Sequence, residues 1–233
     1  SGALSLLDQH THTLYPHINQ FIDGGDCGDT YNYAPPEQDE LVSAKLIGAR
    51  MKTHADYTRV ELRYEMHLPR ALTTDRKRRS AQKTTVPIRS ILYVWQHTPM
   101  LEFHTTIQNH AKDHRLRVHF LTPLQGSTAY YDGQYEVIER PLGVPAYDES
   151  WAEEPRPEQP QQAFSYIKDT SGKGLILANK GLPEIEIYPS EHGLGMALTL
   201  LRCIGWLSRN DLTTRRNHAG PEIPLPGAQM LGT

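Results

Sequence analysis

Cysteine is nearly absent from this sequence. The 233 residues hold two, Cys27 and Cys203, which make neither a disulfide framework nor the paired spacing of a zinc site. Such sparing use fits a reducing compartment, so the expected location is the cytoplasm. Long apolar runs are missing too. Nothing approaches the roughly 20 residues that a membrane span needs, and the opening SGALSLLDQH lacks the basic segment and apolar core of a signal peptide. Nor is there an excess of one charge: 24 Lys+Arg stand against 27 Asp+Glu, a formal net charge of -3. No global field therefore recruits nucleic acid or an anionic membrane, and a neutral or small-molecule partner fits better. Internal repeats of 20 to 50 residues are also lacking, which excludes a solenoid.

Present instead is alternation. In RVELRYEMHL (59–68) the side chains of Val60, Leu62, Tyr64, Met66 and Leu68 share one face, the pattern of a half-buried antiparallel strand. The same theme recurs at 86–95, 101–110, 116–122, 135–140, 164–169, 174–179 and 184–188, with turn signals at 97–99, 131–133, 170–174 and 181–183. GMALTLLRCIGWLSR (195–209) carries apolar residues at helical spacing, but Gly205 and its β neighbours favour a long strand. The expected fold is all-β, one large antiparallel β-sandwich over residues 1–233. Ser1-Gly2 reads as a tag remnant and MLGT as an abrupt end, so the chain is expected to be excised from a longer enzyme. Two stretches read as loops. DRKRRSAQK (75–83) is basic without interleaved aromatics, hence a solvated hairpin loop; AYDESWAEEPRPEQPQQ (146–162) is an exposed connection that Trp151 pins to the body.

The most unusual run is FIDGGDCGDTYNYAPP (21–36), with Asp23, Asp26 and Asp29 at intervals of three. A calcium loop would place its carboxylates two apart with a distal glutamate, so the spacing argues against one. Aspartate beside glycine also caps turns by accepting backbone N–H bonds. A third reading uses Tyr31 and Tyr33, which in an extended segment point the same way. Carboxylates and phenols on a stiff, glycine-rich loop suit sugar hydroxyls. The residues alone leave turn capping and sugar binding both open.

GGDCGDTYNYAPP, NHAKDHRLRVHF (109–120), GLILANKGLPEIEIY (174–188) and LTLLRCIGWLSRNDLTTRRNHAGPEIPLPGAQ (198–229) occur in an order that widens the view. Together they resemble the C-terminal region of the bacterial branch of glycoside hydrolase family 38, the α-mannosidases that include mannosylglycerate hydrolase. The resemblance implies a galactose-mutarotase-like supersandwich that follows an upstream catalytic domain and a helical bundle. It implies a retaining glycosidase acting on α-mannosides, with a nucleophilic aspartate, a second carboxyl as acid and base, and zinc held by His and Asp. Those motifs belong to the catalytic domain, and nothing here matches them. This chain is thus expected to hold no catalytic residue, metal ligand or cofactor of its own and to be inactive in isolation. Its partners would be the catalytic domain of the same polypeptide and the α-mannoside. The resemblance further implies that Tyr31 reaches the mannose unit, with Asp29 and Asp26 shaping the loop or touching hydroxyls.

Other constellations yield weaker expectations. His10 and His12 would lie on one side of a strand but lack a third ligand. Asp113 and Arg115 or Arg117 are expected to pair at a strand start. Arg209, Arg215, Arg216 and His218 surround a proline-bounded turn that either packs against a neighbouring domain or offers an arginine to a substrate carboxylate such as glycerate. Cys27, between two aspartates, should have a raised thiol pKa. A free-standing carbohydrate-binding module would need clustered aromatics, whereas Trp95, Trp151 and Trp206 are scattered. An aldose-epimerase-like enzyme would need a histidine and a carboxylate in one groove. A sandwich face normally covered by a catalytic domain would be unusually apolar, and when uncovered it would favour association into a homo-oligomer.

Overall fold

The computed structural model describes residues 4–232, so Ser1 and Gly2 lie outside it. Sixteen strands follow in chain order. The first eight are β1 (Leu4–Asp8), β2 (Thr13–Ile18), β3 (Gln20–Gly25), β4 (Val42–Ser43), β5 (Lys45–Thr53), β6 (Tyr57–Pro69), β7 (Lys83–Trp95) and β8 (Leu101–Ile107). The rest are β9 (His114–Thr122), β10 (Thr128–Asp132), β11 (Val137–Pro141), β12 (Glu158–Pro160), β13 (Phe164–Lys168), β14 (Gly174–Ala178), β15 (Glu184–Ser190) and β16 (Gly193–Cys203). They form a six-stranded sheet (β12-β15-β16-β9-β3-β4), two four-stranded sheets (β5-β6-β7-β8 and β11-β10-β13-β14) and the hairpin β1-β2, with every pairing antiparallel. No helix among the described residues is long and apolar enough to cross a membrane.

The alternation read from the sequence decides which faces meet. On β6, Leu62, Tyr64, Met66 and Leu68 are buried, and the paired β7 contributes Val86, Ile88 and Leu92 to the same layer. The six-stranded sheet answers with Phe21, Leu116, Val118, Ile185, Ile187, Met196 and Leu198, and the Phe21 ring meets Tyr64 edge-on at 5.3 Å. Ala129, Tyr131, Ile167 and Leu177, from the sheet containing β10, join the same core cluster. Each fully buried aliphatic side chain contributes roughly 1.5–3 kcal/mol to such a core. The outer face of that third sheet carries Tyr130 stacked on Tyr166 at 4.5 Å, flanked by Phe164 and by the exposed Val137 and Ile176. It is an aromatic strip edged by charge, with Glu139 opposite Tyr130 and Lys168 Nζ 4.9 Å over its ring, and its apolar part is of the kind a covering domain would bury.

Three local expectations change. Segment 195–209 is a strand only to Cys203, and the remainder leaves the sheet. His10 and His12 sit in the turn between β1 and β2, not on a strand, and His12 has φ 51°. The basic 75–83 loop does connect β6 to β7, yet it is not wholly solvated: the Arg79 side chain is 5% exposed because it folds back onto Asp23.

Candidate functional site

The aspartates are spent inside the protein, each on cations that the others do not share. Asp23, near the end of β3, lies beside β9, and its carboxylate is held between Arg79 and His114. Asp26 Oδ1 accepts the Gly28 N–H at 2.9 Å, while Oδ2 accepts Arg202 Nε at 2.9 Å. Asp29 is the most heavily bonded. Its Oδ1 accepts the Tyr31 and Asn32 N–H groups, both at 3.0 Å, and its Oδ2 accepts the Arg209 N–H at 2.8 Å and Arg215 Nη2 at 2.6 Å. These are the Asx-type caps that local reasoning anticipates, reinforced by guanidinium groups that it does not.

The same guanidiniums close the turn from behind. Arg202 Nη2 donates to the carbonyls of Asp29 and Asn32 at 3.0 and 2.9 Å, and Asn32 bonds Glu153 of the 146–162 loop. Gly28 is obligatory, since a Cβ there would lie 2.0 Å from the Asn32 carbonyl oxygen. Electrostatics follow the packing. Burial raises the Asp26 pKa more than Arg202 lowers it, whereas for Asp29 burial is outweighed by Arg215 and the backbone donors, leaving it lowered. Burial also pushes the Cys27 thiol up to about 11, against the pull of Arg76, so Cys27 is no nucleophile. A hard cation would need free carboxylates. These are engaged by arginines, and the described residues contain no group of three or more His, Cys, Asp or Glu placed to hold a metal.

What the turn presents outward is Tyr31, 53% exposed. It does not run parallel to Tyr33, because the Asp29 to Asn32 turn breaks the extended path. Tyr33 instead lies under the Arg115 guanidinium, 3.4 Å from ring centroid to Cζ, with Arg156 and Arg202 further out. Tyr31 rests on Gly220, whose backbone is fixed by Ser208 Oγ accepting the N–H groups of Ala219 and Gly220 at 3.0 and 3.2 Å. A Cβ on residue 220 would come within 2.8 Å of the Tyr31 hydroxyl. Gly220→Ala is therefore expected to swing the exposed ring while changing folding stability by less than about 1 kcal/mol. A changed Tyr31 ring signal in an NMR spectrum, with an unchanged melt, checks this.

The remaining candidates divide clearly. Arg215 is buried on Asp29; Arg209 pairs with Asp211 and Glu222 and stacks on Trp206. Arg216 is exposed and makes no ion pair among the described residues. Arg115 and Arg117 are paired, as expected, but with Glu158 and Glu186 across the sheet; Asp113 accepts instead from Gln229 Nε2 at 2.7 Å. His114 is wholly buried, with Nδ1 on Asp23 and Nε2 donating to Asn109 at 3.0 Å. Burial opposes its charge, yet the Asp23 carboxylate wins and lifts its pKa to about 10. Trp151 is half-exposed; backbone bonds from Glu154 to Thr214 and from Arg216 to Ala152 pin its loop instead. Sequence reasoning missed Arg79, Arg202, Ser208 and Gly220 as parts of this pole, and also missed an aromatic cluster of Tyr57, Tyr93 and Trp95 formed across β6 and β7.

The whole chain, superposed on longer proteins, recurs there as one part of a larger glycoside hydrolase. An alpha-mannosidase from Enterococcus faecalis V583 superposes on 99% of the chain with a TM-score of 0.82 at 28% identity, and 26% of that enzyme is covered. A protein in the glycosyl hydrolase family 38 from Enterococcus faecalis gives 0.80 at 27% identity, covering 99% of this chain and 27% of that one. The chain belongs to glycoside hydrolase family 38: residues 3–207 match the domain described as "Glycosyl hydrolases family 38 C-terminal domain". A protein of Halalkalibacterium halodurans named "Putative mannosylglycerate hydrolase" is 29% identical over 224 residues, 89% of this chain and 24% of that protein. The chain thus spans about a quarter of the length of these relatives.

Proposed function

We propose that this chain is the single C-terminal β-domain of a retaining α-mannosidase, a glycoside hydrolase whose catalytic domain lies upstream in the same polypeptide. The domain supports that catalytic domain and lends it Tyr31. Asp26 and Asp29 contribute by holding the turn rigid, since their oxygens are occupied by backbone N–H groups and by Arg202 and Arg215. The observation that carries this reading is the contrast at the pole: a cross-braced turn of buried carboxylates delivers one exposed phenol, in a domain of family 38. A phenol both donates and accepts, as a mannose hydroxyl requires. The apolar part of the strip on the outer face of β10, β13 and β14 supports a covering domain. The zinc and the nucleophile are assigned to the catalytic domain, so the isolated chain is expected to hydrolyse nothing. Its two free thiols agree with a cytoplasmic enzyme.

The test is hydrolysis of an aryl α-mannoside, with zinc present, by the chain extended upstream to its natural start. Tyr31→Phe is expected to lower kcat/KM tenfold or more, about 1.4 kcal/mol of transition-state binding. Unchanged kcat/KM in Tyr31→Phe would reduce the domain to a scaffold.

A further inference from the structure

Arg215, the partner of Asp29, also lines a cavity of about 640 Å³ between the 146–154 loop and residues 210–217. Its volume suits one or two sugar rings, because small-molecule sites run to roughly 300–1,000 Å³. Two aromatic side chains, Tyr147 and Trp151, border it, and Trp151 is 48% exposed. The two rings lie beside polar groups, and an amphipathic aromatic surface of that kind is what the C–H face of a hexose stacks against.

The charges lining the cavity narrow the ligand further. Asp148, Glu149, Glu153 and Glu154 bring four carboxylates to its wall. Arg215 is already neutralised by Asp29, which leaves Arg216 as the one lining guanidinium without an ion pair among the described residues. An anionic ligand would meet net repulsion there. Neutral hydroxyls, by contrast, find acceptors in the carboxylates and mixed donors and acceptors in Asn210, Asn217 and Thr213. The walls are held in place by the Asn32 to Glu153 bond and by backbone bonds that tie residues 152 and 154 to 216 and 214, so the cavity is framed before any ligand arrives.

We propose that this cavity is a binding subsite for a neutral hexose unit of the substrate, with Trp151 as its stacking residue, and that it rejects a carboxylate-bearing group such as glycerate. The assignment rests on the reading that this pole faces substrate, but it is tested by binding rather than by turnover. The two can therefore fail separately.

The measurement is an NMR titration of the 233-residue chain, after one cooperative urea transition and a monomeric elution have established that it folds by itself. It follows the indole N–H signals of Trp95, Trp151 and Trp206, with Trp151 identified by its loss in Trp151→Phe. Separate titrations use α-linked mannobiose and D-glycerate at matched concentration and ionic strength. The expected result is a saturable shift of the Trp151 signal with mannobiose, none at Trp95, and none anywhere with glycerate. Trp151→Ala should weaken binding tenfold or more, read from other cavity signals such as the Asn217 side-chain amide, while Trp151→Phe retains most of it. A shift with glycerate that Arg216→Ala abolishes would overturn the proposal in favour of an anion site. A shift at Trp206 alone would move the sugar to the Tyr31 turn, and silence with both ligands would remove the subsite. Tyr31→Phe turnover in the longer enzyme is unaffected by any of these outcomes.

Discussion

An Asp29→Ala chain is expected to lose about 3–5 kcal/mol of folding free energy, the range for breaking a buried ion pair from one side. Two guanidinium N–H groups of Arg215 and three backbone N–H groups lose their acceptor at once. Arg215 itself is 7% exposed, so water reaches it poorly, and the partners it keeps, Asn32 and the carbonyls of Arg209 and Asn217, carry no compensating charge. Arg215→Ala should cost a comparable amount. The double variant should cost clearly less than the sum, because the second substitution removes a charge that the first had stranded. Urea unfolding of the four chains measures both quantities. A loss below about 1 kcal/mol for Asp29→Ala would mean that the turn relaxes into solvent and that the brace is dispensable.

His114→Gln is expected to destabilise the fold at near-neutral pH by an amount on the order of a few kcal/mol, and the deficit should shrink as the pH rises. Below pH 6.5, the ordinary histidine value, the imidazole is charged in both folded and unfolded chains, and its attraction to Asp23 acts in full. Above that the unfolded chain releases the proton while the folded chain holds it up to about pH 10. Folding stability supplied by His114 therefore declines across that window and is gone above it. Glutamine keeps a donor for Asp23 but cannot carry the charge, and Asp23 is left with Arg79. Comparing wild type and variant at each pH cancels the other groups that titrate near 10. A difference that stays constant from pH 6 to 10 would contradict a buried imidazolium.

How far the sequence reveals this structure depends on how local the cause is. Strand β6 was legible because Leu62 to Leu68 alternate across a sheet with one wetter face, and β7, β13, β14 and β15 follow the same rule, whereas β9 is covered on both faces. Strand β3 was not, because its end, Asp23-Gly24-Gly25, is buried among polar partners and carries no apolar period. Exposed β5 escaped notice for another reason: in KLIGARMKT the apolar Ile47 and Met51 face water and a register shift between Leu46 and Gly48 interrupts the pattern. The aspartate caps could be anticipated from spacings of two and three residues. Their cations could not, since Arg79, Arg202 and Arg215 lie 56, 176 and 186 residues from their aspartates. The support of Tyr31 by Gly220 is equally remote. A long-range ion pair leaves no periodic trace in sequence, and only the sheet register brings its partners together.

The braced turn is proposed to put Tyr31 against substrate. The most direct test is a crystal structure of the chain extended upstream to its natural start, with a mannose-like inhibitor bound. The Tyr31 hydroxyl is expected within about 2.6–3.2 Å of a sugar hydroxyl, the range of a direct hydrogen bond. A sugar bound in the catalytic domain with Tyr31 facing bulk solvent, or packed away from it against another domain, would contradict a substrate-binding role for Tyr31.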